Sequence, residues 1–93
     1  MSLLLKDPLA LLDYAVDWGD QYLEHDYLAA SRWSVAPVEA QGLVIESDAF
    51  DPRIAKVKVS GGREGCIYQL TNHATFQSGR EDRRSIQVRV EAR

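Results

Sequence analysis

Leu12-Asp13-Tyr14-Ala15-Val16-Asp17-Trp18 alternates without interruption: Leu12, Tyr14, Val16 and Trp18 fall on one side, Asp13, Ala15 and Asp17 on the other. Successive side chains of an extended strand point to opposite faces, so this period of two predicts a half-buried antiparallel strand over 12–18. The same pattern recurs on the C-terminal side of this stretch. Tyr27 to Val35 puts Tyr27, Ala29, Ser31, Trp33 and Val35 on one face, while Leu28 breaks parity and implies a bulge near the start. Ala36-Pro37 closes that strand, because proline has no amide hydrogen to give the ladder. Leu43 to Ser47 is a third run, followed by a turn at Asp48-Ala49-Phe50-Asp51-Pro52. Ala55 to Ser60 alternates throughout, and its outward Lys56 and Lys58 suit an edge strand.

Cys66 to Phe76 places Tyr68, Leu70, Ala74 and Phe76 at even spacing. Gln77-Ser78-Gly79-Arg80 reads as a hairpin turn, with glycine where a positive φ is needed. Arg84 to Glu91 then sends Ile86, Val88 and Val90 inward. Strands of this length, with turn signals about every ten residues, predict an all-β fold. The architecture expected is an immunoglobulin-like antiparallel β-sandwich of six to seven short strands, in which the final hairpin, with Tyr68 near its start, is similar to immunoglobulin and fibronectin-type domains.

Ninety-three residues make a single domain, 1–93, with 1–10 as an N-terminal arm. Cys66 is the sole cysteine, which rules out an intrachain disulfide and a cysteine-based zinc cage. The apolar residues near the start are interrupted by Lys6-Asp7-Pro8, lack a basic leader, and are too short to span a bilayer. A soluble protein without its own export signal and without a membrane partner is the expectation.

Net charge is −3, but it is unevenly placed: residues 1–52 hold ten acids against two bases, and residues 53–93 hold nine bases against four acids. Two readings of this polarity stand side by side. Early and late strands can pair within one fold and neutralise each other. Alternatively, an acidic surface of one copy can meet a basic surface of the next, giving a homo-oligomer.

Chemistry-bearing motifs are sparse. Asp17, Asp20, Glu24 and Asp26 crowd one loop, but their order is not that of a calcium-binding loop, and a solvated acidic loop explains them equally. His25 and His73 have no nucleophile motif beside them, and Gly61-Gly62-Arg63-Glu64-Gly65 lacks the lysine and helix start of a phosphate loop. No catalytic, cofactor-binding or metal-binding residues are assigned, and no enzyme is expected. Arg80, Arg83 and Arg84 cluster, yet a chain of net −3 repels phosphate, so no nucleic-acid partner is expected either.

One resemblance spans about residues 6 to 91. Lys6-Asp7-Pro8-Leu9-Ala10-Leu11-Leu12-Asp13-Tyr14, Asp17-Trp18 and Ser31-Arg32-Trp33-Ser34-Val35 resemble short phage and prophage virion proteins of the fibre–tail adaptor type. Val59-Ser60-Gly61-Gly62, Tyr68-Gln69-Leu70-Thr71-Asn72 and Ser78-Gly79-Arg80, followed by Asp82-Arg83-Arg84-Ser85-Ile86, extend it. Leu9 stands where that pattern carries an acid, and the link Tyr22 to Tyr27 differs from the family's shorter glycine-containing one. The resemblance implies a non-enzymatic structural protein of the virion, made in the bacterial cytoplasm, with an immunoglobulin-like fold and with other tail or virion proteins as partners. Exposed loops at sandwich ends carry most binding, so Arg80, Asp82, Arg83 and Arg84, read as the tip of the last hairpin, are the expected partner contacts. Alanine at Arg83 and Arg84 is expected to weaken binding with little change in melting temperature. The rival reading is a carbohydrate- or cell-surface-binding module of the same fold, which would need exposed aromatics such as Tyr22 or Tyr27.

Overall fold

The computed structural model describes residues 3–19 and 25–92. It contains seven strands: β1 (Leu3–Lys6), β2 (Leu12–Asp17), β3 (Leu28–Ala36), β4 (Leu43–Phe50), β5 (Ile54–Gly61), β6 (Ile67–Phe76) and β7 (Glu81–Val90). They form a four-stranded sheet in the order β1-β7-β6-β3 and a three-stranded sheet in the order β2-β5-β4. Lettered A to G in chain order, the sheets read A-G-F-C and B-E-D, an order compatible with an immunoglobulin-like sandwich. All pairings are antiparallel except β1 with β7, which is parallel from Leu3 opposite Gln87 to Lys6 opposite Val90.

The alternation read from the sequence is the origin of the core. Val16 on β2, Val57 and Val59 on β5, Tyr68, Leu70, Ala74 and Phe76 on β6, and Val88 and Val90 on β7 are buried between the sheets. Trp18, just past the end of β2, is fully buried and meets Phe76 edge-on at a centroid distance of 5.5 Å. Its indole Nε1 donates to Asn72 Oδ1 at 2.9 Å, and Asn72 Nδ2 donates to Ser31 Oγ at 2.8 Å. A polar side chain buried in a β core needs such partners, because an unmade hydrogen bond there is expensive.

Four local expectations need correction. Residues 3–6 of the expected arm form an edge strand. Lys6 is buried there, donating from Nζ to the carbonyl oxygens of Gly61 at 2.7 Å and Asp7 at 2.9 Å. Burial pushes its ammonium pKa down, partly offset by Asp7. The bulge lies between Leu28 and Ala30, and it turns Leu28 into the core while Tyr27 and Ala29 are exposed; Ser31, Trp33 and Val35 keep the expected face. β4 runs through Phe50, so the turn is confined to Asp51-Pro52-Arg53, where Asp51 Oδ1 accepts the amides of Arg53 at 2.8 Å and Ile54 at 2.7 Å. Finally, β5 is central rather than an edge, with β2 and β4 on either side of it.

The two halves of opposite charge meet inside the molecule. Asp17 pairs with Arg53 at 3.4 Å, Glu39 with Arg63 at 3.9 Å and Asp26 with Arg80 at 3.1 Å. Each pair joins an acid from the first half to a base from the second; pairing of β2 with β5 brings Asp17 near Arg53, and pairing of β3 with β6 brings Asp26 near Arg80.

Candidate partner-binding surface

The hairpin joining β6 and β7 turns at Gln77 to Arg80, where Gly79 takes a φ of 95° and donates its amide to Phe76 O at 2.9 Å. Of the four expected contact residues, only Arg80 belongs to this turn; Asp82, Arg83 and Arg84 lie within β7, paired with β6. The four therefore do not all lie at the hairpin tip. Arg80 donates to Asp26 Oδ2 at 3.1 Å, and its guanidinium stands 5.6 Å from the Phe76 ring centre. Asp26 also accepts from Ser78 Oγ at 2.7 Å, from Ser78 N at 3.2 Å and from Tyr27 N at 2.9 Å. The Ser78 hydroxyl bond leads this set, and together they hold the Asp26 carboxyl down to about 2.

Arg84 lies opposite Asn72 in the register and shares its inward row. Its guanidinium covers the Trp18 ring at 4.5 Å and donates to Asp17 O at 3.3 Å, closing that end of the core. Asp82 lies opposite Ala74 and accepts the Arg83 amide at 2.7 Å. Arg83 alone of the four stands on the outward row of β7 that carries a second arginine across the sheet. It lies opposite His73, which in turn lies opposite Arg32, so β3, β6 and β7 present Arg32–His73–Arg83 across the outer face of the four-stranded sheet.

This face is built in rows. Ala30, Thr75 and Glu81 form the next row toward the hairpin; Ser34, Thr71 and Ser85 form the row on the other side. Thr71 Oγ1 and Ser85 Oγ are 2.9 Å apart, Gln69 Nε2 donates to Ser85 Oγ at 3.0 Å, and Ser34 Oγ lies 3.3 Å from His73 Nε2. At the far end Arg89 lies between Ile67 and Leu5, both about half exposed, and pairs with Glu91 at 2.7 Å. An open groove of about 590 Å³ runs over Ala30, Arg32, His73, Thr75, Glu81 and Arg83. Desolvation, and then the neighbouring Arg32 and Arg83, lower the His73 pKa, which favours the neutral imidazole at pH 7.

The outer face of the three-stranded sheet is different in kind. Its rows are Asp13–Lys58–Ser47 and Ala15–Lys56–Ala49, mixing both signs. Of the acidic loop, Asp20 and Glu24 lie outside the described residues, as does Tyr22. Asp17 and Asp26 turn to Gly19, Arg53, Ser78 and Arg80. Among the described residues, no three His, Cys, Asp or Glu side chains gather as a metal-ligand set. No helix among them is long and apolar enough to cross a membrane. Trp18 and Trp33 are buried; Tyr27, 45% exposed, is the described one of the two tyrosines named for the rival glycan-binding reading, and Phe50 is exposed as well.

Sequence reasoning singled out Arg83 but not its row companions Arg32 and His73. Their parity was readable, since both alternate with inward neighbours, but the register that aligns them across three strands was not.

The described residues thus form a two-sheet β-sandwich with a packed aromatic centre and an arginine-bearing polar face on the four-stranded sheet. The chain belongs to the family described as podophage GP4 fiber-tail adaptor protein gp77, which it matches over residues 6–89, from the end of β1 nearly to the end of β7. It is thus a phage tail-associated adaptor. No curated protein matches the chain.

Proposed function

We propose that this protein is a non-enzymatic joint of the virion, made in the bacterial cytoplasm and built into the particle, where it connects tail and fibre components. The observation that carries this reading is the family match over residues 6–89, which takes in nearly the whole sandwich rather than one short motif. The fold supports it. Two sheets locked by Trp18, Asn72 and Phe76 make a stiff body, and stiffness is what a joint between larger assemblies needs. The contact surface we assign starts from Arg83 and includes the row it shares with His73 and Arg32, while Arg80 and Arg84 brace the end of the sandwich.

Mass spectrometry of purified particles of the phage or induced prophage that encodes the chain tests this. The expected result is the polypeptide at fixed ratio to tail proteins. Its absence from intact, complete particles would overturn the reading.

A further inference from the structure

We propose that the outer face of the four-stranded sheet docks a carboxylate-rich segment of a neighbouring protein, held by the guanidinium groups of Arg32 and Arg83 on either side of His73. This deepens the adaptor reading and rests on it. Arg32 and Arg83 lie one strand to either side of His73, so their backbones are about 10 Å apart across β6. Neither guanidinium makes an ion pair among the described residues, and both line the groove of about 590 Å³. Planar guanidinium forks bind carboxylates bidentately, and arginine is enriched in protein interfaces while lysine is depleted. The described residues of this face carry three outward arginines, Arg32, Arg83 and Arg89, and no outward lysine.

The surroundings select the occupant. Glu81, in the row next to Arg83, and Asp82 line the same groove, so they confine a partner's carboxylates to the arginine row. Several of the described acids are held within the chain, so a second copy offers a sparser set of carboxylates than an acidic segment would. Asp17 holds Arg53, Asp26 holds Arg80 and Ser78, Glu39 holds Tyr68 and Arg63, Glu46 accepts the Ser60 hydroxyl, and Asp51 caps its own turn. The hydroxyl and amide groups of Ser34, Thr71, Ser85 and Gln69 add neutral donors along the same face. With His73 favouring its neutral form, the positive charge a partner meets is that of the two arginines; a docked carboxylate would draw a proton onto the imidazole between them.

The test is an NMR titration of the isotope-labelled full chain with a deca-glutamate peptide, and with deca-lysine as the opposite-charge probe. The expected result is a shift map centred on the amides of Arg32, His73 and Arg83 and on the His73 ring, which fades as salt rises from about 50 to about 300 mM. Arg32→Gln with Arg83→Gln should weaken glutamate-peptide binding about tenfold or more, and Lys56→Gln with Lys58→Gln should change it less than about twofold. A map centred on Lys56 and Lys58, or no map at all, overturns the proposal. The wild-type map stands even if the double variant fails to fold. Concentration-dependent dimers in sedimentation, formed through the same residues, would put a second copy in place of the acidic segment and overturn it as well. If particles contain the protein but the face ignores the glutamate peptide, this inference alone fails; if the face binds and particles lack the protein, it is the adaptor reading that fails.

Discussion

The two outer faces of the sandwich bear similar amounts of positive charge but spend it differently. On the three-stranded sheet the cations are Lys56 and Lys58, on central strand β5 with Asp13 directly beside Lys58. On the four-stranded sheet they are Arg32, Arg83 and Arg89, set among hydroxyls, amides, Glu81 and the half-exposed Leu5 and Ile67. An ammonium on a flexible stem stays hydrated and resists contact; a guanidinium sheds water easily and offers a fixed fork. By that contrast the lysine face suits solvent, and the arginine face suits the contact proposed above. Sheet position alone would have misled here, because the lysines occupy a central strand and not the edge where gatekeepers are usual.

This contrast requires outward residues to be dispensable for folding while their inward neighbours are not. Asn72→Ala should cause the largest loss, about 2–3 kcal/mol by chemical denaturation, since it removes the buried hydrogen bonds to Trp18 and Ser31. Arg84→Ala should lose about 1 kcal/mol through uncovering Trp18, more than the little change in melting temperature expected from the sequence for alanine at Arg83 and Arg84. Arg83→Ala should stay within about 0.5 kcal/mol of the parent. A comparable loss at Arg83 would break the distinction between the two adjacent rows.

Acidification sharpens the comparison further. His73 has a folded pKa below 6.5, so the unfolded chain binds its proton first and stability declines as pH falls through the region below 6.5. Asp26, at about 2 when folded against a usual 3.8, adds stability above about pH 4 that is lost as pH falls toward 2. Thermal melts against pH should therefore show two separated declines. His73→Gln should remove the first, and Asp26→Asn should reduce the second, leaving the share of Asp51, whose carboxyl is held down by the amides of Arg53 and Ile54.

Much of the architecture was readable because alternation is local. Leu12 to Trp18, Tyr68 to Phe76 and Ile86 to Val90 reveal their faces residue by residue, and the parity break at Leu28 correctly implied the bulge. Residues 3–6 escaped notice because three leucines and a lysine do not alternate, and their partner strand lies at the other end of the chain. The sheet order and the central place of β5 depend on long-range pairing, which no single window contains. The candidate surface was legible only in part for the same reason. Arg84 shares the inward parity of Ile86, Val88 and Val90, and Asn72 shares that of Leu70 and Ala74, so their structural roles were available from spacing alone. Arg32, His73 and Arg83 become neighbours only once β3, β6 and β7 are in register.

The parallel pairing of β1 with β7 has a mechanical consequence. Tension applied between Leu3 and Val90 slides these two strands past each other along their length, so the paired residues from Leu3–Gln87 to Lys6–Val90 are loaded in shear and must yield together. An antiparallel terminal pair pulled from one end would instead unzip bond by bond. Lys6 reinforces the sheared segment, since its ammonium grips the Gly61 carbonyl on the opposite sheet and must be torn free at the same moment. A chain tethered through its termini would thus yield abruptly, at a threshold force, and not by gradual peeling.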